Sequence, residues 1–235
     1  MEATYIETQQ ISFQDFKNQI LEDYKLGRIS REMSYLGRRE VLTGKAKFGI
    51  FGDGKELPQL AMAKVFKKGD FRSGYYRDQT FAMAINAVSV ESFFAQLYAD
   101  TSVEREPASA GRQMNGHYAT RSLNEDGSWK NLMQQKNISS DISPTAGQMP
   151  RLLGLAMASK VYKSVKFDGS EKFSNEGNEV AFGTIGDAST AEGHFWETLN
   201  AACALRVPMI VSIWDDGYGI SVPTQNQRAK ADIAE

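Results

Sequence analysis

Short apolar runs separated by polar, glycine-containing turns predict a strand, a helix and a second strand between residues 179 and 222. Val180–Ile185 and Val207–Trp214 are the two apolar runs, and an aspartate follows each within a few residues. Residues 195–205, between them, have helical spacing. The apolar stripe of this helix consists of Phe195, Leu199 and Ala202. Two short strands on either side of a helix indicate a parallel βαβ unit.

Asp187 and Asp216 stand just beyond the two predicted strands. Parallel strands bring their carboxyl ends to the same edge of a sheet, where ligands bind in open α/β folds. We therefore expect the two carboxylates to lie close together, although they are far apart in sequence. Such a pair suits Mg²⁺, which takes oxygen ligands from one or two carboxylates and from the phosphates of its substrate.

Four further residues fit a phosphorylated ligand at this edge. The turn at Tyr218 could offer a backbone carbonyl to a cation, and the amides of Ala188 and Ser189 suit an anion near a helix N-terminus. Arg77 could bind phosphate oxygens through its guanidinium. Gly-Asp and Asp-Gly pairs also serve simply to turn strands into loops. The spacing alone leaves the ligand site and the plain turn equally open.

The rest of the apolar pattern predicts mainly helices. Ser12–Gly27 and Ser30–Gly44 have the features of two amphipathic helices, each capped by serine and ended by glycine. Further helices are predicted over residues 56–67, 80–87, 90–99 and 150–165. Small residues on the last of these predict close packing on the sheet: Gly154, Ala156 and Ala158. Asp70–Asp78 breaks the helical pattern, and residues 101–143 form a long irregular segment, typical of a functional or disordered loop.

The composition is that of an ordinary soluble globular protein. The 235 residues are 41% hydrophobic and 24% charged, with a net charge of −2, which indicates neither a nucleic-acid partner nor a membrane surface. No apolar run approaches the roughly 20 residues of a membrane span. Cys203, the one cysteine, excludes an internal disulfide framework, fits a reducing compartment and is expected to be buried. Residues 1–10 contain no arginine and resemble neither a secretory signal nor a transit peptide.

Several polar and glycine-containing blocks follow one another in a fixed order. They are Tyr76-Arg77-Asp78, Gly111-Arg112-Gln113-Met114 with His117 and Tyr118, Ser143-Pro144, Gln148-Met149-Pro150, Gly186-Asp187-Ala188, Asp215-Asp216 and residues 219–224. In this order they resemble the α subunit of the thiamine-diphosphate-dependent, decarboxylating component of 2-oxo acid dehydrogenase complexes. The block at Gly111 is similar to the branched-chain type in particular. The resemblance covers roughly residues 30–228.

The resemblance implies the fold and the reaction. The fold would be α/β, of the thiamine-diphosphate-binding type, with a parallel sheet flanked by helices. Residues 1–45 would form an N-terminal helical extension, and residues 46–235 a diphosphate- and metal-binding domain that is incomplete at its C-terminus. The reaction would be the oxidative decarboxylation of a 2-oxo acid, with acyl transfer to a lipoyl group. Branched-chain 2-oxo acids are favoured, and pyruvate and 2-oxoglutarate remain open.

The resemblance also implies which residues bind the cofactor and its metal. Asp187 and Asp216 would bind Mg²⁺ through their carboxylates, and Tyr218 through its carbonyl oxygen. Tyr76 and Arg77 would bind the diphosphate. The diphosphate would also be lined by Gly186, Ala188 and Ser189.

Three more residues would face the ring end of the cofactor or the substrate. Ser143 and Thr145 would meet the aminopyrimidine ring through backbone atoms. His117 would lie near the entrance of the active site and is the candidate catalytic residue. His194, at the start of a predicted helix, is expected to be structural.

The sequence departs from the family's motif at the diphosphate and at the metal. Ala188 replaces a glycine and adds a methyl group where the backbone would approach phosphate. Asp215-Asp216 replaces two asparagines, and a unit charge about 4 Å away is worth roughly 4 kcal/mol at an effective dielectric constant near 20. We therefore expect a stronger dependence on divalent metal than in a relative with asparagine. Trp214 stands where branched-chain relatives carry an arginine, which would leave more of the phosphate binding to Arg77.

The resemblance implies partners as well. A β subunit, or a β-like half of a fused polypeptide, would complete the site in an α2β2 heterotetramer that serves a lipoyl acyltransferase. Family α subunits continue to a histidine-bearing loop, so the chain is expected to be a fragment or the front of an α–β fusion, inactive alone. Its location would be the bacterial cytoplasm or, in a eukaryote, the mitochondrial matrix.

Two other functions remain open from the sequence. The altered motif fits a non-catalytic scaffold that retains the fold, since a fold does not fix a function. A Rossmann-type enzyme of phosphorylated sugars is less favoured, because no Gly-x-Gly-x-x-Gly turn follows Ile185.

Overall fold

The computed structural model describes residues 11–230 and 232–234, so the prediction about a leader in residues 1–10 lies outside the described part. The α-helices are α1 (Phe13–Leu42), α2 (Glu56–Val65), α3 (Gln79–Ala84), α4 (Val90–Leu97), α5 (Gln148–Tyr162) and α6 (Gly193–Leu205). The strands are β1 (Phe71–Ser73), β2 (Asn137–Ile138), β3 (Ala181–Gly186), β4 (Met209–Trp214), β5 (Tyr218–Gly219) and β6 (Val222–Pro223). Within these ranges, none of the helices combines the length with the apolar character that a bilayer crossing requires.

Strands β1 to β4 form one parallel sheet in the order β2-β1-β3-β4. The pairing of β3 with β4 runs from Ala181 opposite Met209 to Gly186 opposite Trp214. Helix α6 connects these two strands, so the predicted βαβ unit is confirmed. Both strands end at the same edge of the sheet, and the antiparallel pair of β5 and β6 follows β4 directly.

Helices cover both faces of the sheet, because alternate residues of a strand point to opposite sides. Phe182 packs on one face with Phe66, just after α2, and with Phe81 of α3; its ring centroid is 5.1 Å from that of Phe66. Ala181 and Ile185 pack on the other face with α5 and α6. The predicted α/β fold, a parallel sheet flanked by helices with an N-terminal helix, is confirmed.

Helix α1 is continuous, whereas the serine and glycine signals predicted two helices. Ser12 caps it as expected, because its Oγ accepts the amide of Asp15 at 3.1 Å. Ser30, the second predicted cap, is buried inside the helix and its Oγ is 2.7 Å from Thr80 Oγ1 of α3. Such tertiary contacts outweigh the internal Gly27, which costs a helix only about 1 kcal/mol. The division of the chain at residue 45 stays a prediction.

Asp70–Asp78 breaks the helical pattern as expected, and it contains β1, which lies between β2 and β3 in the sheet and was not predicted. The strand has three residues, too few to show a period, and its centre is the buried Arg72. Cys203 is exposed rather than buried, since it lies one position beyond Ala202 on the buried stripe of α6.

Gly183 allows α5 to lie close against β3. A Cβ atom at this position would lie 2.2 Å from Cδ2 of the fully buried Leu152. Gly183→Ala is therefore expected to lower the free energy of unfolding by about 1–3 kcal/mol in urea denaturation. Gly154, expected to pack on the sheet, is instead exposed with open space around it. Gly154→Ala is the control and should preserve or raise stability by up to about 1 kcal/mol; equal destabilisation by both variants would contradict the packing argument.

Candidate functional site

A cavity of about 700 Å³ opens at the carboxyl ends of β3 and β4. Its volume is typical of small-molecule sites. The residues predicted for the site that line it are Tyr76, Arg77, Thr145, Gly186, Asp187, Ala188, Ser189, Asp216 and Tyr218. The amide of Asp187 donates to the carbonyl of Trp214 at 3.4 Å, so the loops after the two strands begin side by side. The structure thus brings together residues from four separate sequence blocks.

Asp187 is the most enclosed carboxylate of this cavity. It is 3% exposed, and its Oδ2 atom is buried without a hydrogen-bond partner. Burial, and then the neighbouring carboxylates of Asp215 and Asp216, raise the pKa of Asp187 above its usual value. A buried polar atom without a partner is costly, and more so when it is charged. This oxygen is therefore suited to a cation.

Two more carboxylates stand at the end of β4, and each is paired with a basic side chain. Asp216 Oδ2 accepts a hydrogen bond from Lys55 Nζ at 2.8 Å, and Asp215 Oδ2 is 3.6 Å from Arg228 Nη2. Burial tends to raise the pKa of Asp216, but the hydrogen bond and charge of Lys55 outweigh it and lower the pKa. Asp216 is therefore ionised at neutral pH, and Lys55 offsets part of its charge.

The donor set fits a cation that shares its ligands with an anion. Nowhere in residues 11–230 and 232–234 do three or more His, Cys, Asp or Glu side chains form a group that could hold a metal alone. Asp187 and Asp216 can supply two carboxylates, and the loop at Tyr218 a carbonyl oxygen. Mg²⁺ commonly binds one or two carboxylates together with the phosphates of a ligand. The residues present therefore fit a magnesium-bound phosphorylated compound.

Arg77 is held at the cavity by backbone and aromatic contacts. Its Nη1 donates to the carbonyl of Phe51 at 2.7 Å, and its Cζ lies 5.7 Å from the ring centroid of Tyr76. Its own carbonyl accepts from Gln59 Nε2 at 3.0 Å. A fixed guanidinium is well suited to phosphate oxygens.

The methyl group of Ala188 lies against the loop after β4. A Cβ atom placed on Gly219 would be 2.6 Å from the Cβ of Ala188, so these two positions have room for one methyl group. Gly219 therefore accommodates the methyl group that the sequence places where the family has glycine.

His117 and Ser143 do not line the cavity. His117 is 2% exposed, its Nε2 lies 2.9 Å from Ser143 Oγ, and its ring stacks on Tyr76 with 6.3 Å between centroids. Burial lowers the pKa of His117, which favours the neutral imidazole. Its link to the cavity runs through Tyr76. His194 has the expected structural role, with Nε2 at 2.9 Å from the carbonyl oxygen of Thr145.

Residues 24–235 match the model of the family described as Dehydrogenase E1 component. The chain belongs to this family. The E1 chain is 29% identical over 213 residues to the 2-oxoisovalerate dehydrogenase subunit alpha of Bacillus subtilis (strain 168), which is 88% of this chain and 53% of that protein. It is 26% identical over 191 residues to the mitochondrial 2-oxoisovalerate dehydrogenase subunit alpha of Caenorhabditis elegans, 81% of this chain and 37% of that one.

A third relative gives a shorter match. The pyruvate dehydrogenase E1 component subunit alpha of Acholeplasma laidlawii is 35% identical over 82 residues, 35% of this chain and 20% of that protein. The resemblance to E1 α subunits of the branched-chain type is confirmed. The chain spans about half the length, or less, of these curated relatives.

Sequence reasoning did not assign Tyr75 or Lys55 to the site and treated Trp214 only as the replacement of an arginine, yet all three line the cavity of this E1 chain. Tyr75 has a buried hydroxyl without a hydrogen-bond partner, the second such atom there after Asp187 Oδ2. Trp214 donates its Nε1 hydrogen to Asp78 Oδ1 at 2.9 Å and is fixed by this bond. Lys55 follows the turn Gly52-Asp53-Gly54 at the start of α2. The glycine-rich turn just before a helix is the sequence signal that could have pointed to it.

Proposed function

We propose that this E1 chain binds thiamine diphosphate and Mg²⁺ for the oxidative decarboxylation of a 2-oxo acid, with acyl transfer to a lipoyl group. The observation that carries the proposal is the buried, unpartnered Oδ2 of Asp187 beside Asp216, at the end of two parallel strands. Branched-chain 2-oxo acids are favoured, because relatives at 29% and 26% identity are 2-oxoisovalerate dehydrogenase α subunits. Pyruvate and 2-oxoglutarate remain candidates.

The side chains of this protein would hold the ligand rather than perform the bond breaking. Bound thiamine diphosphate supplies carbanion chemistry, which the protein orients. Asp187 and Asp216, with the carbonyl of Tyr218, would hold the cation. Tyr76 and Arg77 would hold the diphosphate, which would also be lined by Gly186, Ala188 and Ser189.

The ring end of the ligand would lie towards Thr145 and Ser143. Thr145 lines the cavity, and His194 at 2.9 Å holds its carbonyl oxygen in place. Ser143 reaches His117, whose neutral imidazole could hold or release a proton at Nε2. His117 would need a shift of Tyr76 or Ser143 to meet a substrate directly.

The proposal includes partners that the relatives' names support. Those relatives are subunits, which favours a β subunit or a β-like half and an α2β2-type assembly. A lipoyl acyltransferase component would accept the acyl group. We propose no nucleic-acid or membrane partner, and a cytoplasmic location, or the mitochondrial matrix in a eukaryote.

Calorimetry on the full-length protein tests the proposal. Thiamine diphosphate is titrated with and without Mg²⁺, in the presence and absence of the β partner, and unphosphorylated thiamine serves as the control. We expect Mg²⁺-dependent binding of the diphosphate alone, tighter with the β partner. Failure to bind in every condition would refute the proposal and favour the non-catalytic scaffold.

Asp216→Asn tests the metal dependence of the site. The aspartate attracts the cation and repels the diphosphate, so the affinity of the wild type for thiamine diphosphate should rise more steeply with Mg²⁺ concentration. At limiting Mg²⁺, we expect the wild type to bind thiamine diphosphate about tenfold more weakly than Asp216→Asn, which is equivalent to about 1.4 kcal/mol. This difference should disappear at saturating Mg²⁺. The measurement is a Mg²⁺ titration of thiamine diphosphate affinity. Parallel curves for the two proteins would contradict the prediction.

A further inference from the structure

Lys55 is an enclosed ammonium group in the lining of the cavity. Its side chain is 13% exposed, whereas that of its partner Asp216 is 53% exposed. A lysine this enclosed is unusual, because lysine side chains are mostly exposed unless they are paired. The ammonium therefore belongs to the cavity rather than to the surface.

The backbone on both sides of Lys55 is anchored. The next residue, Glu56, accepts two hydrogen bonds from Arg31 at 2.6 Å each, and its two carboxylate oxygens share the N–H of Gly54 at 3.1 Å each. On the other side, a Cβ atom on Gly52 would lie 2.3 Å from the carbonyl oxygen of Arg77. The loop thus packs directly on the backbone of Arg77, so Lys55 and Arg77 enter the cavity from two segments in contact.

We propose that Lys55 is a second cation for the diphosphate end of the ligand. Asp216 holds its ammonium in the ligand-free protein, and the ammonium moves to a phosphate oxygen when a divalent cation takes Asp216. This inference rests on the proposed function. It follows from the charges: a metal ion bound to Asp187 and Asp216 would leave the enclosed ammonium without its partner unless an anion replaced it.

Trp214 strengthens the case for Lys55. The indole lines the cavity, but it is neutral and its N–H is donated to Asp78, so it offers the ligand neither a positive charge nor a free donor. Among the described residues of the lining, the cations are Lys55 and Arg77. A diphosphate together with the carboxylates of Asp187 and Asp216 carries more negative charge than one Mg²⁺ and one guanidinium neutralise, and Lys55 supplies a further positive charge from a fixed loop.

The test compares ligands that differ by one phosphate. Thiamine diphosphate and thiamine monophosphate are titrated by calorimetry into the full-length protein at saturating Mg²⁺. Lys55→Met should lower the affinity for thiamine diphosphate by about tenfold or more, which is the size of a lost charge-assisted hydrogen bond. It should lower the affinity for thiamine monophosphate by much less. Lys55→Arg, which keeps the charge, should recover most of the affinity.

Lys64→Met is the matched control, on helix α2, which begins just after Lys55. Lys64 forms an exposed pair with Asp23 at 2.8 Å, and this variant should leave the affinity for both ligands unchanged. In the absence of thiamine compounds, Lys55→Met should bind Mg²⁺ at least as tightly as the wild type, because a competitor for Asp216 is gone.

Several results would overturn the inference. If Lys55→Met lowers the affinity for both ligands equally, or leaves the affinity for thiamine diphosphate unchanged, Lys55 is only the counter-ion of Asp216. Weaker Mg²⁺ binding by Lys55→Met would contradict the exchange in which a divalent cation displaces Lys55 from Asp216. A wild type that does not bind thiamine diphosphate at all would overturn the proposed function and this inference together, whereas a binding wild type with an unaffected Lys55→Met overturns this inference alone.

Discussion

Asp187→Asn is expected to abolish the stabilisation that thiamine diphosphate with Mg²⁺ gives to the protein. At a ligand concentration of about 100 times the dissociation constant, the wild type should gain about 2.7 kcal/mol. Loss of a residue next to a metal's ligands costs about 10- to 100-fold in metal affinity, so loss of a ligand carboxylate should cost at least the upper value. The variant should show no ligand-induced shift in a thermal unfolding experiment at the same concentrations.

In the absence of ligand, Asp187→Asn should not lower the unfolding temperature of the protein. Oδ2 of Asp187 has no partner, and Asp215 and Asp216 are nearby carboxylates. An amide at this position removes the buried charge and its repulsion, so the ligand-free variant should unfold at the same temperature as the wild type or above it. A residue that is costly for folding and needed for binding is typical of a functional site.

Asp53→Asn is the matched control. Asp53 pairs with Arg38 at 2.7 Å on the surface and does not line the cavity, so this variant should keep the full ligand-induced shift. A ligand-free Asp187→Asn protein that unfolds well below the wild type would contradict the argument, because the carboxylate would then be stabilising the fold. A retained ligand shift would contradict it as well.

The part of the fold around Asp187 could be predicted because its signals are local. Strands β3 and β4 are each six residues long, and helix α6 has one clear apolar stripe, of which Phe195 and Ala202 are buried. Parallel pairing then requires the two strands to end at one edge, so Asp187 and Asp216 had to meet. The motif resemblance added the identity of the ligand, which the spacing alone had left open.

Strand β1 could not be predicted from local pattern. Its centre is Arg72, which reads as a surface residue in any periodicity argument but is fully buried. Burial is possible because Asp78 and Asp141 both accept its hydrogen bonds, and Asp141 is 69 positions away. Asp78 is six positions from Arg72, but no short sequence window contains both the strand and Asp141.

Long-range pairing also explains why the sequence predicted two helices where α1 is continuous, and why Lys55 was not assigned to the site. Ser30 looked like a helix cap, but Thr80 and Gln79, about fifty positions later, bind it inside one continuous helix. Lys55 and Asp216 are 161 positions apart, so the sequence showed the extra charge of Asp216 without the lysine that offsets it. Such side-chain partners become visible only once the fold is known.

Arg72→Met is expected to lower the free energy of unfolding by about 3–5 kcal/mol, because it leaves two buried carboxylates without their cation. The guanidinium donates to Asp78 through Nε at 2.8 Å and to both carboxylate oxygens of Asp141 through Nη1 at 3.0 Å. Arg72 and Asp78 are both 0% exposed, and Asp141 is 2% exposed. A loss of this size is a large share of the 5–15 kcal/mol that is typical of a domain. Urea denaturation of the ligand-free protein measures it.

An arginine-to-methionine substitution in an exposed ion pair is the control. It shows how much stability is lost when an ion pair is removed without leaving a buried charge. Arg105 binds Asp100 at 2.6 Å, as short as the contacts of Arg72, but its side chain is 54% exposed. Exposed pairs contribute little, so Arg105→Met should change stability by less than about 1 kcal/mol. Similar losses in the two variants would contradict the role of burial.

The Arg72 network also connects the core to the candidate site, and this gives its prediction a second readout. Arg72 Nη2 donates to the carbonyl of Tyr75 at 3.0 Å, and Asp78 holds the Trp214 indole at 2.9 Å; both aromatic residues line the cavity. Replacing Arg72 by methionine together with Asp78→Asn and Asp141→Asn removes all three charges and should recover part of the lost stability, since neutral replacement of a whole buried network is often tolerated. The triple variant should still bind thiamine diphosphate more weakly than the wild type, because Tyr75 loses the donor that positions it. Stability recovered together with full affinity would show that the network supports the core alone.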